Sequence, residues 1–136
     1  MKILPRLLRL LIVLWAGSLW SLLWVAATLF NLQSDRHLAG VLAARLFSIE
    51  TYLGLGVAAL ALVLPGSTGY RGLYAAVAIL TVNEWLVKPV MSRALTQGTA
   101  AGLGFGAWHG VSAMLYLIAC VFVLVYVWRG FGPERS

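Results

Sequence analysis

Charged side chains are scarce in this sequence. They make up 10% of 136 residues, whereas a soluble domain is about one-quarter charged. Hydrophobic residues make up 62%, and the mean hydropathy is +0.92. This composition excludes an ordinary soluble domain and predicts a fold surrounded by lipid. The ten basic residues outnumber the four acidic ones, but they flank apolar runs instead of forming a stripe. We therefore expect the headgroups of a bilayer with anionic lipids, and no nucleic acid, as their partners.

Cysteine and histidine are also rare. The single cysteine, Cys120, excludes an intramolecular disulfide and a CxxC metal site. A b-type haem would need two histidines projecting from facing helices at a common depth. We expect His37 to lie outside the hydrocarbon and His109 at its edge, and no nucleophile–base pair with a third orienting group is evident. We predict a protein that is not an enzyme and has no cofactor, with a bound metal ion as the one open alternative.

Four long apolar runs determine the predicted fold. A helix needs about 20 residues to cross ~30 Å of hydrocarbon, and each run is long enough. We predict an all-α integral membrane protein in which residues 1–136 form a single transmembrane domain. Its four transmembrane helices would form an up-down-up-down bundle. The predicted helices span about 8–30, 35–64, 72–93 and 106–129.

Local signals mark the ends of these helices. Ser34 or Asp35 is a suitable N-cap for the second helix, and Pro65-Gly66 is expected to end it. Pro89 lies within the third apolar run and denies a hydrogen bond to a carbonyl one turn earlier, so we expect a kink there. A glycine-rich linker over 97–106 leads to the fourth helix.

An even number of spans places both termini on one side of the membrane. Six arginine and lysine residues lie on that side, against two in the opposite loops, or four if the membrane-edge Arg45 and Lys88 are counted there. The positive-inside rule therefore predicts cytoplasmic termini. The six residues on the predicted cytoplasmic side are Lys2, Arg6, Arg9, Arg71, Arg129 and Arg135.

Polar residues inside the predicted spans are the first candidates for function, because burying them in hydrocarbon is costly. In helices two to four they fall in one half of the membrane, on the side of the loops that contain His37 and Arg93. Measured inward from Arg45 at ~1.5 Å per residue, Glu50 lies roughly 7 Å inside. We predict a vestibule open to one side. Its candidate residues are Arg45, Glu50, Asn83, Glu84, Lys88, His109, Ser112 and Tyr116.

Within this set, Glu84 and Lys88 have the i,i+4 spacing of a helical ion pair, and Glu50 is expected to be a second partner for Lys88. Glu50, Glu84 and His109 are the candidate metal ligands, since carboxylate and imidazole suit a divalent ion. The alternative is that these groups only hold the helices together through interhelical hydrogen bonds. Small residues would permit close helix packing, and we expect this at Gly17, Gly54, Gly106 and Gly110.

Four segments together resemble the transmembrane protein 205-like family, whose bacterial members are small four-helix membrane proteins. They are WAGSLWSLLWVAATLF, ARLFSIETYLGL, VNEWLVKPVM and FGAWHGVSAMLYL. The most specific parts are Arg45, Phe47 and Glu50 in the second segment, and His109-Gly110 with Ser112 in the fourth. The resemblance implies a multi-pass protein of a bacterial-type inner (plasma) membrane without an established activity. A looser likeness to copper-resistance membrane domains implies metal handling.

Two functions follow as hypotheses. In the first, the polar vestibule binds or conducts a proton or a small cation. In the second, the chain is a non-catalytic structural or accessory subunit of a larger membrane complex, with the polar groups joining its helices. Either function is compatible with a homo-oligomer or with another membrane protein as partner.

Overall fold

The structure is a computed structural model that describes residues 3–64 and 67–130, of which 91% are helical. The first two long helices are α1 (Ile3–Leu32) and α2 (Arg36–Val63). After a 3-10 turn, Ser67–Tyr70, α3 (Arg71–Val82) continues through a π-helical turn, Asn83–Val87, into α4 (Lys88–Gln97). Two short strands, β1 (Thr99–Ala100) and β2 (Leu103–Gly104), precede α5 (Phe105–Gly130).

The structure contains the four predicted helical segments, with shifted ends. All four are long and apolar enough to cross a membrane by length and composition. The first begins at Ile3, earlier than the predicted residue 8, because Arg6 and Arg9 are good helix formers and do not interrupt it. The third continues past residue 93 to Gln97 and ends at Gly98, whose φ of 85° suits a glycine. The predicted end of the second helix at Pro65–Gly66 lies outside the described residues. The same is true of two of the counted basic residues, Lys2 and Arg135.

Asp35, one of the two predicted N-cap residues, caps α2. Its side chain accepts hydrogen bonds from the backbone amides of His37, at 2.9 Å, and Leu38, at 3.1 Å. These amides belong to the first turn of the helix, where no earlier carbonyl can accept from them. The cap therefore fixes where the helix begins.

The third segment accommodates Pro89 by widening one turn. The amide of Lys88 donates to the carbonyl of Asn83, five residues earlier, and Pro89 lies in the first turn of α4. Proline has no amide hydrogen, and its ring would clash with the carbonyl four residues before it. The π-helical turn places this disturbance next to Glu84 and Lys88, so the predicted irregularity lies beside the predicted ion pair.

A tight hairpin occupies the predicted glycine-rich linker. Thr99 pairs with Gly104 and Ala100 with Leu103 in antiparallel register. The two turn residues between them, Ala101 and Gly102, have φ of 49° and 77°, as a two-residue hairpin turn requires. The indole of Trp108 donates to the carbonyl of Ala100 at 2.9 Å, which attaches the hairpin to the start of α5.

Helices that follow one another in the chain pack together, and α1 also contacts α5. α1 contributes mainly large residues to the core, among them Ile12, Trp15 and Leu19. α2 contributes small ones, such as Ala58 and Ala61. The small face allows α2 to approach the tryptophan of α1 closely.

The four predicted packing glycines have different surroundings. At Gly54 an added Cβ would lie 2.3 Å from Cζ2 of Trp15, so this glycine is required for the contact between α2 and α1. At Gly17, Gly106 and Gly110 an added Cβ would meet no atom of the described residues within 4 Å, and all three are exposed. The prediction that these three allow close packing is therefore wrong for contacts among the described residues. α1 buries its large residues instead, because they offer more contact area than the stripe containing Gly17.

Large apolar side chains cover the outside of the bundle. Leu14 is 60% exposed, Leu62 64%, Leu86 63% and Met114 58%. These residues belong to all four long segments, so the apolar outer surface extends around the molecule. A soluble monomer rarely exposes contiguous apolar surface of this extent.

Candidate functional site

A polar network joins α2 to the π-helical turn and α4. Lys88 Nζ forms an ion pair with Glu84 Oε2. The same ammonium donates to Ser48 Oγ at 2.7 Å and to the carbonyl of Ala44 at 3.1 Å. Ser48 Oγ in turn lies 2.7 Å from Glu84 Oε1, to which it can donate. The side chains of Lys88 and Glu84 are only 17% and 13% exposed, so the pair is turned inward.

The predicted i,i+4 ion pair is thus present, and its charges are compensated locally. Lys88 has three hydrogens, and the structure gives it three acceptors. Sequence reasoning missed Ser48 and Ala44 because neither carries a charge. The available signal was Ser48 itself, a hydroxyl within an apolar run on the helix that contains Glu50.

Glu50 belongs to a second, separate polar contact, between α2 and α1. The carboxylate is 8% exposed and accepts a hydrogen bond from Ser18 Oγ at 3.0 Å. The indole of Trp15 donates to the backbone carbonyl of Glu50 at 3.0 Å. Tyr116, on α5, donates from its hydroxyl to the carbonyl of Leu19, next to Ser18, also at 3.0 Å. Ser18 and Trp15 therefore join α1 to α2 at Glu50, and Tyr116 joins α5 to α1 one residue after Ser18.

The geometry of α2 separates the two carboxylates. Ser48 and Glu50 are two residues apart, which corresponds to about 200° around a helix. Ser48 faces α4, and Glu50 faces α1. The expectation that Glu50 is a second partner for Lys88 is therefore wrong, because the two project toward different neighbours of α2. The single shared vestibule is replaced by two interhelical contacts.

The remaining predicted residues lie elsewhere. Arg45 and His109 are exposed, and the ring of His109 stacks on Phe105 with a centroid distance of 6.0 Å. Ser112 is half-buried. Asn83 is only 5% exposed and begins the π-helical turn, and its side-chain oxygen has no hydrogen-bond partner among the described residues. Of the eight predicted residues, only Glu84 and Lys88 form a side-chain hydrogen bond or an ion pair with each other in the described structure.

The three candidate metal ligands are not assembled into one site. In residues 3–64 and 67–130, no group of three or more His, Cys, Asp or Glu side chains could hold a metal ion. Glu50 and Glu84 face different helices, and His109 is exposed. The prediction that Glu50, Glu84 and His109 share a metal site is therefore not supported by their placement.

Comparison with known proteins adds no assignment. No family model, curated protein or solved structure matches this chain. The resemblance to the transmembrane protein 205-like family stays a prediction from the sequence.

Proposed function

We propose that this chain is a multi-pass protein of a bacterial-type inner membrane and that the carboxyl group of Glu50 binds a proton within it. In this proposal the four helices cross the bilayer up-down-up-down with both termini in the cytoplasm, and no enzymatic step is involved. The apolar outer surface and the distribution of basic residues support the placement in a membrane. The resemblance to the transmembrane protein 205-like family agrees with it and assigns no activity.

One observation carries the functional part of the proposal: of the two buried carboxylates, only Glu84 has a positive charge beside it in the part of the chain that the structure describes. Glu84 is neutralised by Lys88, whereas no ammonium or guanidinium of the described residues forms a salt bridge with Glu50. An ionised carboxylate in an apolar span costs several kcal/mol unless a positive charge compensates it. Glu50 therefore favours an exchangeable cation as its partner, and a proton is the smallest one.

The contacts of Glu50 favour a proton over a metal ion. Ser18 Oγ lies 3.0 Å from Oε2 and 2.8 Å from the carbonyl of Trp15, so its single hydrogen can go to either acceptor. The described contacts include no donor to Oε1, which leaves that oxygen for a proton. A metal needs more ligands, about four for zinc and six or more for magnesium or calcium. The groups that form the described hydrogen bonds in this region are a hydroxyl, two aromatic side chains and backbone carbonyls already engaged by Trp15 and Tyr116.

Carbodiimide labelling tests whether Glu50 carries a proton. Dicyclohexylcarbodiimide is an apolar reagent that adds to protonated carboxyl groups in membranes. In the full chain in liposomes we expect an adduct on Glu50 and none on the salt-bridged Glu84, located by mass spectrometry of peptides. Glu50→Gln should remove the adduct, and Asp35→Asn, which removes a carboxylate outside the apolar runs, should keep it. An unlabelled Glu50 would contradict the proposal.

Proton flux then distinguishes a conducting site from a binding site. The same liposomes, loaded with a pH-sensitive dye, are given an external pH step. Conduction predicts that the pH difference dissipates faster with the protein than in empty liposomes. Glu50→Gln should abolish this increase, and Asp35→Asn should retain it. Labelling of Glu50 without such flux identifies a site that binds a proton without conducting it.

A specific observation also favours the accessory-subunit hypothesis. Gly17, Ser21 and Thr28 on α1 are all exposed, as are Gly106 and Gly110 on α5. Outward-facing small residues let another transmembrane helix approach closely. Under this hypothesis Gly17→Leu would abolish co-purification of a fixed membrane partner or of a second copy of the chain. Glu50→Gln would lower stability in detergent without changing proton flux.

A further inference from the structure

A cleft of about 740 Å³ opens at the end of the bundle where α1 and α3 begin and α5 ends. Three arginines line it: Arg9 of α1, Arg71 of α3 and Arg129 of α5. The sequence assigns these residues to the same side of the membrane, and the fold brings them to one cavity. Its volume is in the range of small-molecule sites, about 300–1,000 Å³.

The lining changes from charged to apolar along the helices. Ile12 and Val13 lie one turn beyond Arg9 on α1, and on α5 Val125 and Phe122 lie one and two turns before Arg129. At ~1.5 Å per residue, Phe122 is roughly 10 Å deeper in the bundle than Arg129. A ligand that fills this cleft needs an anionic end at the rim and an apolar part directed inward.

The described residues that line the cleft include no carboxylate that could pair with the arginines. The described acidic side chains are engaged elsewhere. Asp35 caps α2, Glu50 accepts from Ser18, and Glu84 pairs with Lys88. The cleft therefore presents three positive charges to its ligand.

We infer that this cleft binds the phosphate headgroup of an anionic phospholipid, with one acyl chain against the apolar lining. Guanidinium groups bind phosphate oxygens through paired, charge-assisted hydrogen bonds. Basic pockets between transmembrane helices on the cytoplasmic side are a recognised form of lipid headgroup site. Inorganic phosphate would satisfy the arginines but would leave the inner apolar lining without a partner.

Native mass spectrometry of the full chain in mild detergent tests the inference. The chain is titrated with dioctanoyl phosphatidylglycerol and with dioctanoyl phosphatidylcholine, which has the same chains and no net charge. The test variant is Arg71→Gln with Arg129→Gln. The matched control is Arg45→Gln with Arg93→Gln, which changes the net charge equally at two exposed positions outside the cleft.

We expect the chain to prefer phosphatidylglycerol and the test variant to weaken its binding by at least about tenfold, as the loss of two interfacial cations predicts. The control should stay within about twofold, because those residues do not line the cleft. Replacing Arg71 and Arg129 with lysine should restore part of the affinity, because lysine keeps the charge and loses the paired hydrogen bonds.

Three results would overturn the inference. Equal weakening by the test and control variants would show attraction to net charge without a site. Equal affinity for the two lipids would show that the headgroup is not recognised. Complete displacement of phosphatidylglycerol by an equal concentration of inorganic phosphate would show a site for a free anion, to which the acyl chain contributes nothing.

Discussion

Replacing Gly54 with alanine tests how closely α2 packs on α1. A Cβ at this position would lie 2.3 Å from Cζ2 of Trp15 and 3.0 Å from two further ring atoms. Ordinary contact begins near 3.4 Å, so the indole or the helix must move by about 1.1 Å. Trp15 is only 4% exposed and cannot swing into open space. Its hydrogen bond to the carbonyl of Glu50 depends on the same ring position.

The expected cost combines three effects. Overpacking a core costs about 1–3 kcal/mol, and loss of the indole hydrogen bond adds about 0.5–1.5 kcal/mol. Alanine returns up to about 1 kcal/mol relative to glycine in a helix. We expect Gly54→Ala to lower the free energy of unfolding by about 2 kcal/mol. The measurement is reversible unfolding in mixed micelles of detergent and sodium dodecyl sulfate, followed by circular dichroism.

Gly56→Ala is the matched control, because Gly56 lies on the same helix and an added Cβ there would meet nothing within 4 Å in the part of the chain that the structure describes. It should be neutral or stabilising. In a Trp15→Phe background the smaller ring should reduce the cost of Gly54→Ala, which a double-mutant cycle would detect as coupling between the two positions. Equal stability of the Gly54→Ala and Gly56→Ala variants would refute the close contact.

Two further predictions concern charged groups. Lys88→Met leaves Glu84 buried without its cation and should lower the free energy of unfolding by about 3 kcal/mol or more. Combining it with Glu84→Gln should restore most of the stability, measured in the same micelles. A double variant as unstable as the single one would contradict this reasoning. Asp35→Ala removes the cap of α2 and should lower the free energy of unfolding by about 1 kcal/mol. Ser34→Ala, which removes a hydroxyl one residue earlier, should have little effect on thermal unfolding. Equal losses of stability in the two variants would argue against the cap.

Much of the architecture could be predicted from the sequence, because each helix is determined by a local signal. Apolar runs of sufficient length predicted the four helical segments, and the pair Ser34 and Asp35, of which Asp35 is the cap, predicted the start of α2. The i,i+4 spacing predicted that Glu84 and Lys88 pair, since both lie on one helical segment. Pro89 predicted a kink, because its missing amide removes a hydrogen bond whatever the tertiary context, and the structure has a π-helical turn just before it.

The arrangement between helices could not be predicted in the same way. Whether Glu50 meets Lys88 or Ser18 depends on how α2 is rotated relative to its neighbours, and the polar residues of α2 lie on more than one face. Gly17 and Gly54 both lie in small-residue stripes, yet only Gly54 contacts a buried tryptophan. The arginine cleft combines residues from three segments, so no local pattern contained it.

The position of Ser48 and Glu50 on opposite sides of α2 has a mechanical consequence. A rotation of this helix about its own axis would pull Ser48 away from Lys88 and would swing Glu50 away from Ser18 in the same movement. Both contacts therefore depend on the same rotational position of α2. Such a rotation would remove the Ser48 hydroxyl from Lys88, whereas the Glu84–Lys88 pair itself lies within one helical segment and would stay together.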